Sequence, residues 1–272
     1  MIQAANKDFA SWACSLAGCD GGNPNADIWL CGIEWGFDTR KASAADYYQK
    51  ELPAEIAAGR VIPSESYKWD DSLTYTYGRN VAKIFTSIKG GRVEEYQTVT
   101  KLKGQELFKL NLYPIAFTST DDRLWKEYGL DDLTGFKEKH LYQTWCFLNR
   151  FPAIAKMVSQ YRPGCIICTG ISYLTDFFVC FAGGNGMPNL VDVVEVVDPV
   201  GKSRKFYWAL LETGTVLVVI PFFSGSFGLN SNYFLQEIGS RIGKLINQCG
   251  AALPVDCSLG SSGPCIVDEP GF

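Results

Sequence analysis

The sequence predicts an α/β fold, a three-layer αβα sandwich around a mostly parallel central sheet. Three observations predict it. Short apolar runs, many of them β-branched, recur along the chain without the in-and-out alternation of a half-buried strand. Segments with apolar residues at helical spacing separate these runs. Strands that are apolar on both faces must be covered on both, and intervening helices are the usual cover.

The elements follow in chain order. A short helix around 7–16 leads through a Gly/Asn/Pro turn into the first strand, 27–33 (DIWLCGI). A helix over 73–88 carries Leu73, Tyr77, Val81, Ile84, Phe85 and Ile88 on one stripe. The second strand is 106–115 (ELFKLNLYPI). A helix over 141–161 then leads to the third, 165–170 (CIICTG). Runs at 191–197, 204–212 and 215–221 complete the strands, the last two joined as a hairpin around Glu212-Thr213-Gly214-Thr215. A helix over 232–248 shows Leu235, Ile238, Ile242, Leu245 and Ile246 at helical period. Residues 1–249 read as a single α/β domain and 250–272 as a Gly/Ser/Pro-rich C-terminal extension.

Composition narrows the class. The 272 residues are 47% apolar and 20% charged, enough for one large α/β domain. No apolar run nears the ~18 residues a membrane span needs. The first residues lack a basic segment followed by a long apolar one, so no signal peptide is expected. Ten cysteines, several inside apolar strand-like runs, then read as reduced buried thiols of a cytoplasmic protein. Cys165 and Cys168, three apart on a strand, point to opposite faces, and His140 is the single histidine. Neither a zinc site nor a cofactor is expected from these spacings, although Cys249, Cys257 and Cys265 leave a cluster with a distant fourth ligand open. The net charge of −4 argues against strong non-specific grip on duplex phosphates.

Ligands of open α/β sheets gather at the carboxyl ends of strands. After the first strand come Gly32, Glu34, Trp35, Gly36, Phe37, Asp38 and Arg40. After the second come Asn111, Tyr113, Pro114, Phe117, Ser119 and Asp121; after the third, Gly170 and Ser172. After the last comes Pro221-Phe222-Phe223-Ser224-Gly225-Ser226-Phe227-Gly228-Leu229-Asn230, half aromatic and half Gly/Ser. Singly, each has a plain reading. The glycines turn the chain, Trp35 and Phe37 pack under a helix, Asn111 caps a backbone group, and the aromatic loop packs on a neighbouring subunit. Their co-occurrence at one sheet edge is the stronger signal: flat faces, a carboxylate and an amide around one pocket.

The segments GIEWGF, LNLYPIAF, IICTGIS and VVIPFFSGSFGLN, in this order, resemble those of the uracil-DNA glycosylase superfamily, nearest its single-strand-selective monofunctional branch. The resemblance spans roughly 27–245 and implies a DNA-repair hydrolase that flips a damaged or deaminated base from single-stranded or damaged DNA, with no metal, cofactor or membrane. It implies Glu34 and Asn111 as catalytic residues, Asn111 reading a base edge through its amide. It places Gly32, Trp35, Gly36, Phe37, Tyr113, Pro114 and Phe117 around the base. Pro221, Phe222, Phe223, Ser224, Phe227, Leu229 and Asn230 fall on the loop that enters the base stack, as apolar wedges do elsewhere. The superfamily's histidine before this loop has no counterpart; Ile220 or Phe222 stands there. That departure keeps open a weakened relative acting as a nucleic-acid, nucleotide or protein binding module. A Cys or Ser hydrolase using His140, and a phosphate site at SGSFG, are two further alternatives; the second lacks the lysine of a P-loop.

Overall fold

In the computed structural model, residues 4–34, 36, 43–61, 66–117, 123–183 and 191–252 are described, with side chains as far as Cys249. The strands are β1 (Gly21–Gly22), β2 (Ile28–Gly32), β3 (Leu107–Asn111), β4 (Cys165–Thr169), β5 (Asp192–Val197), β6 (Ser203–Leu210) and β7 (Val216–Ile220). They form one sheet in the order β1-β3-β2-β4-β7-β6-β5. The four central strands are parallel, whereas β1 on one edge and β6 and β5 on the other pair antiparallel. The sheet is therefore parallel only at its centre, a narrower statement than the mostly parallel sheet expected from the sequence.

Side-chain alternation divides the core in two. Trp29, Cys31, Phe108, Leu110, Ile166, Cys168, Leu217 and Val219 point to one face. There they meet helices α1 (Lys7–Ala13), α4 (Phe151–Tyr161) and α5 (Leu174–Ala182). Ile28, Leu30, Leu107, Cys165, Ile167, Val216, Val218 and Ile220 point to the other, under α2 (Thr76–Ile88) and α6 (Asn232–Ala252). The spacing of Val81, Ile84, Phe85 and Ile88 gives α2 one apolar stripe, and burying a full side chain of this size contributes about 1.5–3 kcal/mol. Among the described residues, no helix is long and apolar enough to cross a membrane.

Several boundaries differ from the sequence reading, among them the start of α2 at Thr76, which leaves Leu73 at the end of a separate helix (Trp69–Leu73). The second strand ends at Asn111, because Pro114 has no N–H to continue the ladder; Leu112 and Tyr113 still donate to Gly32 and Ile33, both at 2.9 Å. The helix expected over 141–161 is α3 (Lys139–Trp145), a π-helical segment (Cys146–Arg150) and then α4. α6 runs to Ala252, past the expected boundary at 249/250, and 253–272 lie outside the described residues.

The π-helical segment ends on Arg150, which is fully buried. Its five N–H groups meet five backbone carbonyls. Nε donates to Leu112 at 2.9 Å; Nη1 donates to Ala13 and, at 3.1 Å, to Ser15; Nη2 donates to Ala17 and Asn111, both at 2.9 Å. The guanidinium thus ties the chain after α1 to the end of β3. Arg150→Met strands these carbonyls without donors, and equilibrium unfolding in urea is expected to show a loss of about 3–5 kcal/mol.

Candidate active site at the carboxyl edge of the sheet

The chain leaves β2 toward β3 on one side and leaves β4 toward β7 and the far edge on the other. The carboxyl ends of these neighbours are a topological switch point, where loops diverge and leave a crevice. Two groups of side chains line this edge, one on each face of the sheet.

On the α3 face, Glu34 follows β2 and is nearly buried. The Lys139 ammonium, 2% exposed, reaches both its oxygens, at 3.0 Å and 3.2 Å. The same ammonium lies 3.8 Å from the centroid of the Phe117 ring. Phe117 is buried and also packs on Trp125 and Tyr48, so it is part of an aromatic wall. Gly36 bridges to Phe117, which holds the chain beyond Glu34 beside the chain beyond β3. Tyr113 is buried and donates to Asp176 at 3.1 Å. Burial first, and then the Asp176 charge, push the Tyr113 phenol up; burial raises Asp176 as well. Beside Tyr113 an open cleft of about 380 Å³ is lined by His140, Gln143, Thr144, Phe147 and Leu148.

On the α2 face, Asn111 is 3% exposed and donates its amide N–H to the Gly18 carbonyl at 2.8 Å. Its Oδ1 lies over Gly32, where a Cβ would come within 2.5 Å, so glycine there is what admits the amide. Pro114 packs against Gly18. Two residues before Asn111 on the same strand face, Lys109 pairs with Asp20 and sits 4.9 Å from the centroid of the Tyr77 ring. The Tyr77 hydroxyl bonds Thr169 at 3.1 Å, spanning from α2 to the end of β4.

The loop after β7 is tied down rather than free. Leu229 donates to Phe222 at 2.8 Å and Asn230 to Gly225 at 3.2 Å. Arg204 of β6 donates to Gly228 at 3.0 Å and to Ser226 at 2.8 Å. A Cβ on Gly228 would run into the carbonyl oxygens of Ser224 and Phe222. Pro221, Phe223 and Leu229 are buried, Phe223 edge-on to Tyr77, which corrects their expected place as wedges. Phe222 is 41% exposed and Phe227 84%; with Ser224 they form the loop's outer side.

Trp35, Phe37, Asp38, Arg40, Ser119 and Asp121 lie outside the described residues, as do Cys257 and Cys265. His140 is well exposed and pairs with Glu138 at 3.1 Å. Burial pushes the thiols of Cys146, Cys165, Cys168 and Cys180 up, Cys146 to about 12, which leaves them protonated and inert. Among the described residues no group of three or more His, Cys, Asp or Glu side chains converges as metal ligands. No protein-family model matches the chain, and no curated protein matches it.

Sequence reasoning missed Lys139, Arg204 and Lys109 as parts of this edge and placed Tyr77 only on the stripe of a helix. The signal for Lys109 was present: it stands alone as a charge in the apolar run LFKL. Lys139 is hidden in the charged stretch KEKH, where nothing marks one lysine for burial.

Folding takes Lys109 out of water, and burial pushes its ammonium from the ordinary 10.5 down to about 8. Between these values the unfolded chain keeps a proton that the folded chain has released, so the contribution of this group to stability rises with pH across that window. Toward pH 9 the buried thiols of Cys146, Cys165, Cys168 and Cys180, and above about 10 the buried phenols of Tyr47, Tyr48 and Tyr77, all of which burial raises, act in the opposite sense. Thermal unfolding followed against pH is expected to show a maximum near pH 8, and the Asp20→Asn/Lys109→Met double variant to lose the rise that precedes it.

Proposed function

We propose that the protein is a divergent DNA glycosylase of the uracil-DNA glycosylase type, with that superfamily's sandwich, hydrolysing the N-glycosidic bond of a damaged or deaminated base. One observation carries the reading. A nearly buried carboxylate and a nearly buried amide, Glu34 and Asn111, follow neighbouring parallel strands paired through Gly32 and Asn111, at the sheet edge from which the aromatic loop projects.

Each group has work suited to that reaction. As the glycosidic bond lengthens, charge separates: the sugar becomes oxocarbenium-like and the base leaves as an anion. The Glu34 carboxylate, held at two points by Lys139, is a fixed negative charge for the sugar and an acceptor that orients the attacking water. Water adds to the anomeric carbon, and its proton passes to solvent or to the departing base. Asn111 spends one amide hydrogen on Gly18. Its Oδ1 remains as the acceptor for a base N–H, which favours bases that present one. Phe222 and Phe227 supply the apolar surface that replaces a flipped base in the stack.

A second reading is favoured by the missing leaving-group donor. Losing one such donor typically costs about 10²–10³ in rate, and a chain with this site otherwise intact binds bases without cleaving them efficiently. Single- and double-stranded oligonucleotides carrying uracil or other deaminated or oxidised bases, followed by alkaline cleavage of abasic sites, separate the two. Scission abolished in Glu34→Gln and Asn111→Ala supports the glycosylase; intact oligonucleotides at high enzyme excess overturn it for those bases. Phe227→Ala is expected to leave stability within about 0.5 kcal/mol of the parent while weakening action on duplex more than on single strands.

A further inference from the structure

The far edge of the sheet carries an uncovered face that the proposed reaction does not use. In β5 and β6, Val194, Val196, Phe206 and Trp208 pack on the α6 side. The alternate residues form the opposite face: Val193, Glu195 and Val197 on β5, lying across from Tyr207, Lys205 and Ser203 on β6. Val193 is 54% exposed, Val197 52%, and Val200 in the connecting turn 78%. Val193 and Val197 flank Glu195 on one strand face, and grouped exposed apolar residues, unlike scattered single ones, mark an interaction surface.

The edge itself is guarded. Arg241 donates to the Glu195 carbonyl at 3.1 Å and the Tyr233 hydroxyl to the Val197 carbonyl at 3.1 Å. α6 thus covers acceptors that an added strand would need. The partner must therefore dock on the face. Glu195 opposite Lys205 leaves the face without net positive charge, which disfavours nucleic acid there, and a charged pair amid the valines disfavours a bilayer. The face is self-complementary instead. Glu195 and Lys205 are cross-strand partners, both exposed, and Lys205 makes no ion pair among the described residues. A two-fold contact brings each copy's Glu195 to the other's Lys205, twice, with valines between, because isologous interfaces meet every contact reciprocally.

We propose that this face joins two copies of the chain into a symmetric dimer, sheet packed on sheet. Sedimentation equilibrium of the full chain across a wide concentration range tests it, with circular dichroism confirming that each variant folds. The parent is expected to dimerise. Val193→Lys/Val197→Lys, Glu195→Lys and Lys205→Glu are each expected to weaken dimerisation roughly tenfold or more, since desolvated like charges then face each other. Glu195→Lys/Lys205→Glu together are expected to restore it. A parent that stays monomeric throughout overturns the proposal, as does a dimer indifferent to all four variants or one that the charge swap fails to rescue. If the parent is monomeric and Val193→Lys/Val197→Lys abolishes binding to anionic lipid vesicles or to labelled single-stranded DNA, the face belongs to that ligand and the dimer is equally overturned.

Discussion

The site depends on one buried cation. Among the described residues Arg150 has no carboxylate partner; its charge is balanced by five carbonyl dipoles contributed by two distant stretches, Ala13 to Ala17 and Asn111 to Leu112. A guanidinium is a rigid planar fork, so the carbonyls must come to it. This sets the path of the chain after α1, and that path places the Gly18 carbonyl where the Asn111 side chain can donate to it. A lysine has three donors on a flexible stem and could neither match five acceptors nor fix their plane. The orientation of the proposed base reader is thus decided by a residue that does not face the crevice.

The two faces of the sheet divide the chemistry at this edge. Negative charge is held on the α3 face, by Glu34 against Lys139 and an aromatic wall. Hydrogen-bonding capacity is held on the α2 face, by Asn111, Tyr77 and Thr169, with Lys109 and Asp20 behind them. Gly32 is the seam between them, since any side chain there would displace the Asn111 amide. The loop after β7 is fixed from outside the crevice, by Arg204, and from within, by Phe223 against Tyr77. An anchored loop would lose little conformational freedom in the insertion proposed for it, so its exposed phenylalanines would keep more of their burial energy than those of a mobile loop.

The strands were legible because burial on both faces writes a continuous apolar run, and the helices because one-sided burial writes a period. The candidate edge was legible because loops follow strands in sequence as they do in space. What could not be read were the partners of long-range bonds. Arg150 binds backbone carbonyls, and any residue offers those, so no sequence pattern marks its targets. Glu34 and Lys139 lie 105 positions apart and either could have been a surface charge. Within the aromatic loop, Phe223 and Phe227 are indistinguishable by residue type; only the packing of Tyr77 and the clamp of Arg204 decide that one is buried and the other exposed. The antiparallel edges follow the same logic, because β5 and β6 carry apolar residues of the kind found in the central strands yet leave alternate ones uncovered.

The ion pair at Glu34 also restricts what chemistry this edge can perform. A carboxylate held at two oxygens by a buried ammonium is fixed in place as one half of an ion pair. Its value lies in a charge that does not move. That suits a reaction in which positive charge develops on the substrate before a nucleophile commits, and suits poorly one that begins with proton abstraction. Hydrolysis of an N-glycosidic bond is of the first kind, and hydrolysis through an activated serine or cysteine is of the second. The buried, protonated thiols and the exposed His140, which pairs with Glu138, point the same way. A preset charge of this kind lowers the barrier for the sugar half of the transition state and does nothing for the departing base. On the proposed reaction, the burden of stabilising that base falls on the base's own acidity, which would restrict the substrates to bases that leave most readily as anions.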